Sequence, residues 1–342
     1  MALILAEAMI ERGHKVDMLL CRREGPLLPL VHPDCTIIDF NVPRFRDALM
    51  PLRQYLQQSK PQSLVVFMWP LTVLAVLARM MVRSDTRLIL TDHNALSKLH
   101  GLSKLTKTAM RRSIRYLYPK AEARIVVSEG VAEDLAELSG LEENAFTVIY
   151  NPVSPPPEGL SPDDGAKNLW GSGKRVLSVG ALRSQKNQAL LIKAFARIKE
   201  HIDANMVILG EGPLRGGLEE LARSLGLADR VKLPGFLANP WPYYSSADVF
   251  VLSSDYEGLG NVLVEALYAG LPIVTTDCPH GPAEILDGGR FGTLVECGDE
   301  DGLAEAVIQA LGHTVDRDAL KARARNFVPE QAIDRYVAIL EA

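Results

Sequence analysis

Cysteine is scarce. Four residues in 342, at 21, 35, 278 and 297, include no CxxC pair. That excludes a disulfide framework and suits a reducing cytosol. Long apolar runs are also missing. The longest largely apolar stretch, Leu64–Ala78, falls short of the roughly 20 residues of a membrane span and is interrupted by Pro70. It reads instead as a strand (Leu64–Met68), a turn and a helix. Met1 leads straight into an amphipathic stretch, without the basic segment and cleavage site of a secretory signal. The seven histidines form no metal-spaced set, and there is neither a GxSxG elbow nor a Walker loop. A net charge of −5 gives no basic excess for a nucleic-acid partner.

What remains is ordinary for a folded enzyme: 47% hydrophobic and 23% charged residues. The length exceeds the roughly 250–300 residues at which single cores stop growing, so two domains are expected. Charge is divided unevenly. Residues 1–150 carry 19 Lys and Arg against 16 Asp and Glu, and the remainder 18 against 26. The first half therefore suits an anionic partner or surface.

Short Val/Ile/Leu-rich runs alternate with helical patterns throughout. One series is Lys15–Leu20, Thr36–Phe40, Leu64–Met68, Arg87–Thr91, Ala123–Val127 and Phe146–Tyr150. A second is Arg175–Val179, Met206–Leu209, Val231–Leu233, Val249–Leu252, Pro272–Thr275 and Gly292–Val295. Runs apolar on both faces are parallel strands covered by helices, so the fold is α/β. Between the series, Asn151–Lys174 holds Pro152, Pro155, Pro156, Pro157 and Pro162 with four glycines, as a linker does. Two Rossmann-like domains joined near residue 160 place ligands beyond the carboxyl ends of their strands, and the natural active site in the cleft where they face each other.

The densest cluster is Ser253-Ser254-Asp255-Tyr256-Glu257-Gly258-Leu259-Gly260-Asn261-Val262-Leu263-Val264-Glu265. It follows a strand and opens a helix. Its glycines let backbone approach a ligand, and the helix amides and dipole favour an anion such as a diphosphate. Glu265, about one turn in, suits a ribose diol. It lies among apolar residues, where a carboxylate is costly without a partner. Glu257, eight positions earlier, lies nearer a sugar. Asp299-Glu300-Asp301 imitates a metal-binding DxD but is better read as a helix N-cap.

The cluster resembles the E-x7-E motif of retaining GT-B glycosyltransferases of family GT4. Other segments fall in the family's order: Arg12-Gly13-His14, Val127-Ser128-Glu129-Gly130, Tyr150-Asn151-Pro152-Val153, Gly180-Ala181-Leu182-Arg183-Ser184-Gln185-Lys186, Gly210-Glu211-Gly212-Pro213, Leu271-Pro272-Ile273-Val274 and Gly281-Pro282-Ala283-Glu284. The resemblance covers nearly the whole chain. It implies a nucleotide-sugar donor, no metal or other cofactor, and retention of anomeric configuration. Lys186 then contacts the diphosphate, with Gly180 beside it; the alternative is an exposed lysine closing a loop. Ala181 stands where the family has arginine, and Arg183 is a substitute for that contact. Gly210, Glu211 and Gly212 line the nucleotide, while Phe236 and Leu237 belong to the base-contacting loop. Glu257 with Gly258, Leu259, Gly260 and Asn261 positions the sugar. His93, closing a strand, either touches the donor sugar or is a satisfied loop histidine.

The resemblance further gives domains at 1–153 (acceptor) and 175–325 (donor), a linker at 154–174, and a terminal helix at 326–342 crossing back to the first domain. The family's first strand and glycine loop are lacking, since Met1–Ala6 already reads as helix, and the expectation is a start further upstream or a fragment. Ser97–Lys120 holds seven Lys and Arg and no acid, with Leu102, Leu105, Ile114, Tyr116 and Leu117 interleaved. This is either a solvated helix face or a contact for an anionic membrane, which would make a cytoplasmic protein peripheral on that membrane. The expected acceptor is a glycan or lipid-linked saccharide. Two alternatives stay open: a nucleotide-sugar-binding pseudoenzyme and a GT-B sugar-nucleotide epimerase.

Overall fold

The computed structural model describes residues 1–25, 27–98, 103–157, 159 and 169–341. The expected linker therefore lies partly outside the described residues, at Glu158 and from Leu160 to Asn168, as does Leu102 of the basic segment. The chain divides into two compact units, Met1–Pro152 with Pro329–Ala342, and Val153–Val328.

The second unit is built on six parallel strands: β7 (Lys174–Val179), β8 (Ala204–Leu209), β9 (Val231–Gly235), β10 (Val249–Leu252), β11 (Ile273–Thr276) and β12 (Thr293–Val295). Their order is β12-β11-β10-β7-β8-β9. Every residue of β8, β10 and β11 is buried, as runs apolar on both faces require. The chain runs outward from β7 to β9, then returns to lay β10 against the other side of β7. The crevice between β7 and β10 is therefore the switch point, where open α/β sheets bind ligands.

The first unit divides its strands. β3 (Ser63–Phe67), β4 (Arg87–Asp92), β5 (Ala123–Val126) and β6 (Thr147–Val148) form one parallel sheet. β1 (Asp17–Leu20) and β2 (Thr36–Asp39) pair only with each other. Among the described residues, β1 and β3 each keep one edge without a strand partner. All of β1 and most of β3 are half-buried, whereas β4 is deeply buried. The core of this unit joins Leu5 of α1 (Ala2–Glu11) to Ile89, Ile125 and Ile149, and to Ala332, Tyr336 and Leu340. The last three lie on a helix at Pro329–Glu341. That helix starts three residues later than the sequence suggests, because Arg325–Phe327 forms a separate 3-10 turn and Pro329 is pre-shaped for a first helical turn.

Local chemistry sets other boundaries. Asp299 accepts a hydrogen bond from the Gly302 amide and caps the following helix, Glu300–Gly312. Gly140 and Gly270 take left-handed conformations just past helix ends. The basic segment is not one continuous face. It comprises a 3-10 turn (Leu96–Lys98), α4 (Lys104–Leu117) and a second 3-10 turn (Tyr118–Lys120). Ile114 is wholly buried and joins no outer apolar stripe, whereas Leu105 and Tyr116 are 81% and 64% exposed. Arg111 donates to the Leu138 carbonyl at the end of α5 (Glu129–Ser139), and the Arg115 guanidinium packs over Gly140 there. Lys98, Lys104, Lys107 and Arg112 stay exposed. No helix among the described residues is long and apolar enough to cross a membrane.

Candidate active site

Two loops leave the switch point side by side. The one after β7, residues 180–187, ends in a left-handed Asn187 that caps α6 (Gln188–His201). The one after β10, residues 253–260, opens α9 (Asn261–Ala269). They are bolted together. The Asp255 amide donates to the Gln185 carbonyl at 2.8 Å, and Gln185 Nε2 to the Tyr256 carbonyl at 2.9 Å. Asn187 Nδ2 donates to Asp255 Oδ1 at 2.8 Å. The Ser253 hydroxyl lies 3.0 Å from both the Lys186 and the Asn187 carbonyls.

At the centre Lys186 Nζ meets Glu257 Oε1 at 2.5 Å, and the buried Ser254 hydroxyl donates to the same oxygen at 2.6 Å. Glu257 is only 4% exposed. The lysine stem lies along Gly180, where an added Cβ would come 3.5 Å from its Cδ and Cε. Desolvating such a pair offsets much of its Coulomb gain, but removing one member strands a buried charge, which costs about 3–5 kcal/mol. A cation held this way is in place before any ligand arrives.

The glycines have structural reasons as well. A Cβ at Gly210 would overlap the Gly180 carbonyl, and one at Gly212 the Leu182 carbonyl. These two, expected to line the nucleotide, let the loop after β8 close on the loop after β7. Three backbone bonds stitch that junction, including Leu182 N to Glu211 O at 3.0 Å. Gly281 performs the same service for the Leu259 carbonyl. The Leu259 side chain is itself buried, so only its backbone is available to a ligand. Gly260 has φ 91°, a conformation that disfavours side chains, and Asn261 is exposed at the first turn of α9.

Glu265, on α9, has its expected partner. The Tyr244 hydroxyl donates to its Oε2 at 2.8 Å. Burial raises the carboxyl pKa above the ordinary value, and the tyrosine hydrogen bond opposes that shift. Glu211 is exposed and held by Arg215 at 2.7 Å, which keeps its carboxyl below the usual range. Arg183 is exposed. Phe236, 52% exposed, and Leu237 follow β9 at the sheet edge, two strands from β7.

His93 belongs to the first unit. It follows β4, with Thr91 Oγ1 3.2 Å from its Nε2 and the Phe67 ring 5.6 Å away. Burial lowers its pKa to about 4, so the ring is neutral near pH 7. The preceding residue went unnoticed in the sequence. Asp92 is fully buried, accepts from the Tyr118 hydroxyl at 2.8 Å and from the Trp69 amide at 3.2 Å, and has its pKa raised by burial to about 6. Thr72 in turn bonds the Tyr118 oxygen at 2.8 Å. Tyr244, Ser254 and Gln185 were missed likewise, because only the folded chain brings them to their partners. Among the described residues no three His, Cys, Asp or Glu side chains stand together as a metal site.

Two Rossmann-like units, each built on parallel strands, define the GT-B class of fold. A family model described as glycosyl transferases group 1 matches residues 163–327, and one described as glycosyltransferase family 4 matches residues 1–155. The chain belongs to this family of glycosyltransferases. It is 32% identical over 252 residues to the N-acetylgalactosamine-N,N'-diacetylbacillosaminyl-diphospho-undecaprenol 4-alpha-N-acetylgalactosaminyltransferase of Campylobacter jejuni, covering 74% of this chain and 67% of that protein. It is 34% identical over 170 residues to a lipopolysaccharide core biosynthesis glycosyltransferase of Rhizobium meliloti, covering 48% of this chain and about half, 49%, of that one. The fold matches that of Anabaena Alr3699/HepE in complex with UDP-glucose at a TM-score of 0.83 and 20% identity, over 99% of this chain and 95% of the other.

Proposed function

We propose that this chain is a retaining, metal-independent glycosyltransferase moving a hexose or N-acetylhexosamine from a nucleotide sugar to a lipid-linked or polysaccharide acceptor of cell-surface glycan synthesis. The observation that carries the reading is the pair of Lys186 with the buried Glu257 at the switch point of the second unit. Lys186 exchanges its carboxylate for the donor diphosphate and, with the opening amides of α9, stabilises the charge that develops as the nucleoside diphosphate leaves. Arg183 reaches the same anion. Glu265 accepts from the ribose diol. Glu257 and the backbone of Gly258–Asn261 orient the sugar, and Phe236 and Leu237 meet the base. The neutral His93 contacts the sugar without adding charge to the reacting centre. The acceptor hydroxyl attacks from the face the diphosphate leaves, which retains configuration.

The names of the Campylobacter and Rhizobium relatives favour lipid-linked and lipopolysaccharide acceptors. The exposed Lys98, Lys104, Lys107 and Arg112, with Leu105 and Tyr116, suit an anionic bilayer surface, each base adding about 1 kcal/mol. The test is turnover of UDP-, GDP- and ADP-sugars with undecaprenyl-diphosphate saccharides, in EDTA, with the product anomer read by NMR. Retention with full activity in EDTA is expected. An inverted product, or loss of turnover on chelation, overturns the mechanism; conversion of donor without acceptor marks an epimerase; tight donor binding without any turnover marks a pseudoenzyme.

A further inference from the structure

Glu265 presents a problem that the E-x7-E pattern does not solve. It is a carboxylate on a mostly apolar helix, its pKa raised by burial, and a protonated or rotated carboxyl accepts hydrogen bonds poorly. One side chain from another element answers this. Tyr244, on the short helix α8 (Trp241–Ser246), is completely buried, and its hydroxyl donates to Glu265 Oε2 at 2.8 Å. The Val262 carbonyl, 3.3 Å away, is the longer alternative for the same proton. The tyrosine ring is fixed from both sides, stacked on Phe250 of β10 with centroids 5.6 Å apart and flanked by Trp241 at 5.5 Å. Phe250 stands on the strand that carries the Glu257 loop, so one rigid strand sets both glutamates of the pattern. The other elements packed on α9 are β11, which has no titratable residue, and two helices. Those carry Glu284, and Arg317, Asp318, Lys321 and Arg323, but none is a cause of the Glu265 shift.

We infer that Tyr244 is a positioning residue for nucleotide recognition: its hydroxyl occupies Glu265 Oε2, keeps the carboxylate charged and oriented, and leaves Oε1 to select a ribose diol over a deoxyribose. The inference rests on the reading of Glu265 as the ribose acceptor, and it adds a determinant of sugar-edge specificity outside the motif itself. A site built to accept from a substrate hydroxyl rejects the analogue lacking it, because a buried polar group is then left unpaired.

The experiment measures dissociation constants of UDP, GDP and ADP and of their 2′-deoxy and 3′-deoxy counterparts by calorimetry. The proteins are wild type, Tyr244→Phe, Tyr244→His and Phe250→Leu. The expectation is that wild type prefers the ribonucleotide by about 10-fold or more. Tyr244→Phe, which keeps the ring stack, should bring the ratio toward unity. Tyr244→His, whose ring N–H can donate to the same oxygen, should recover part of it. Phe250→Leu, which loosens the ring stack but keeps the hydroxyl, should lower the ratio less than Tyr244→Phe does. A Tyr244→Phe protein with the wild-type ratio overturns the inference while leaving the Glu265 reading intact. Should the Phe variant not fold, a Tyr244→His protein whose ratio is at unity overturns it as well. Wild type that ignores both deoxy positions, or binds none of the nucleotides, removes the Glu265 reading and this inference with it.

Discussion

The carboxyl ends of the two sheets hold their polar groups in opposite ways. In the second unit a half-buried lysine and a buried glutamate form an ion pair, 2.5 Å apart, on loops tied to each other at several points. In the first unit desolvation disfavours charge on the buried Asp92 and the half-buried His93, one pKa raised to about 6 and the other lowered to about 4. The difference follows from partners. Lys186 has a carboxylate within contact, whereas Asp92 has only a hydroxyl and an amide, and desolvation then dominates. A preset cation suits an anionic donor. A neutral histidine at that strand end suits a neutral hydroxyl or a sugar.

The largest expected effect would break the paired side of this contrast. Lys186→Ala should lower kcat/KM about 100-fold or more and destabilise by about 3–5 kcal/mol, since Glu257 is left buried alone. Lys186→Met combined with Glu257→Gln should restore most of the stability and none of the turnover. Urea unfolding and donor assays separate the two, and a double variant no more stable than Lys186→Ala would deny the pair its role. Next, Gly281→Ala places a Cβ into the Leu259 carbonyl at φ 102° and should cost about 2–4 kcal/mol, seen as a drop in melting temperature.

The first unit offers a sharper test through pH. Native Asp92 holds its proton up to pH about 6, while the unfolded chain releases it near 3.8. Its contribution to stability is complete below pH 3.8 and is lost as pH rises through 6. Native His93 is neutral above about 4, while the unfolded residue stays protonated to about 6.5, so its contribution is complete above pH 6.5 and is lost as pH falls through 4. The two slopes oppose each other. Relative to wild type, Asp92→Asn should gain stability as pH rises from 4 to 6, and His93→Asn should lose it over the same range. Each difference should be on the order of 1–3 kcal/mol in urea titrations. Parallel curves for wild type and both variants would mean that neither group titrates differently in the folded protein. The smallest effect belongs to α4. Charge reversal at Lys104, Lys107 or Arg112 should each weaken binding to anionic vesicles about fivefold and leave neutral vesicles unaffected.

Much of the fold was legible because it is written in short-range pattern. All twelve expected strands appear where Val/Ile/Leu runs announced them, with ends shifted by at most two residues. The Asp299 cap was visible as an acid before a helical pattern. The site was legible in part: the residue types and the turn before α9 stood out, and so did the need of Glu265 for a partner. That partner was not legible, because Tyr244 lies 21 residues away on another helix. The pairing of Lys186 with Glu257 spans 71 residues and depends on β10 returning beside β7, which no local pattern announces. Asp92 was hidden by its position as the last residue of an apolar strand. The basic segment was legible only as charge, since sequence does not tell which arginines a neighbouring helix end will claim.

The helix at Pro329–Glu341 carries a consequence for how the chain is made. Ala332, Tyr336 and Leu340 complete a core that also contains Leu5. During translation the early strands must wait, with that apolar face uncovered, until residue 340 clears the ribosome, whereas the sheet of the second unit is fully synthesised by residue 295. The unit that begins first is thus finished last, and the interval between is when the nascent protein most needs shielding from aggregation.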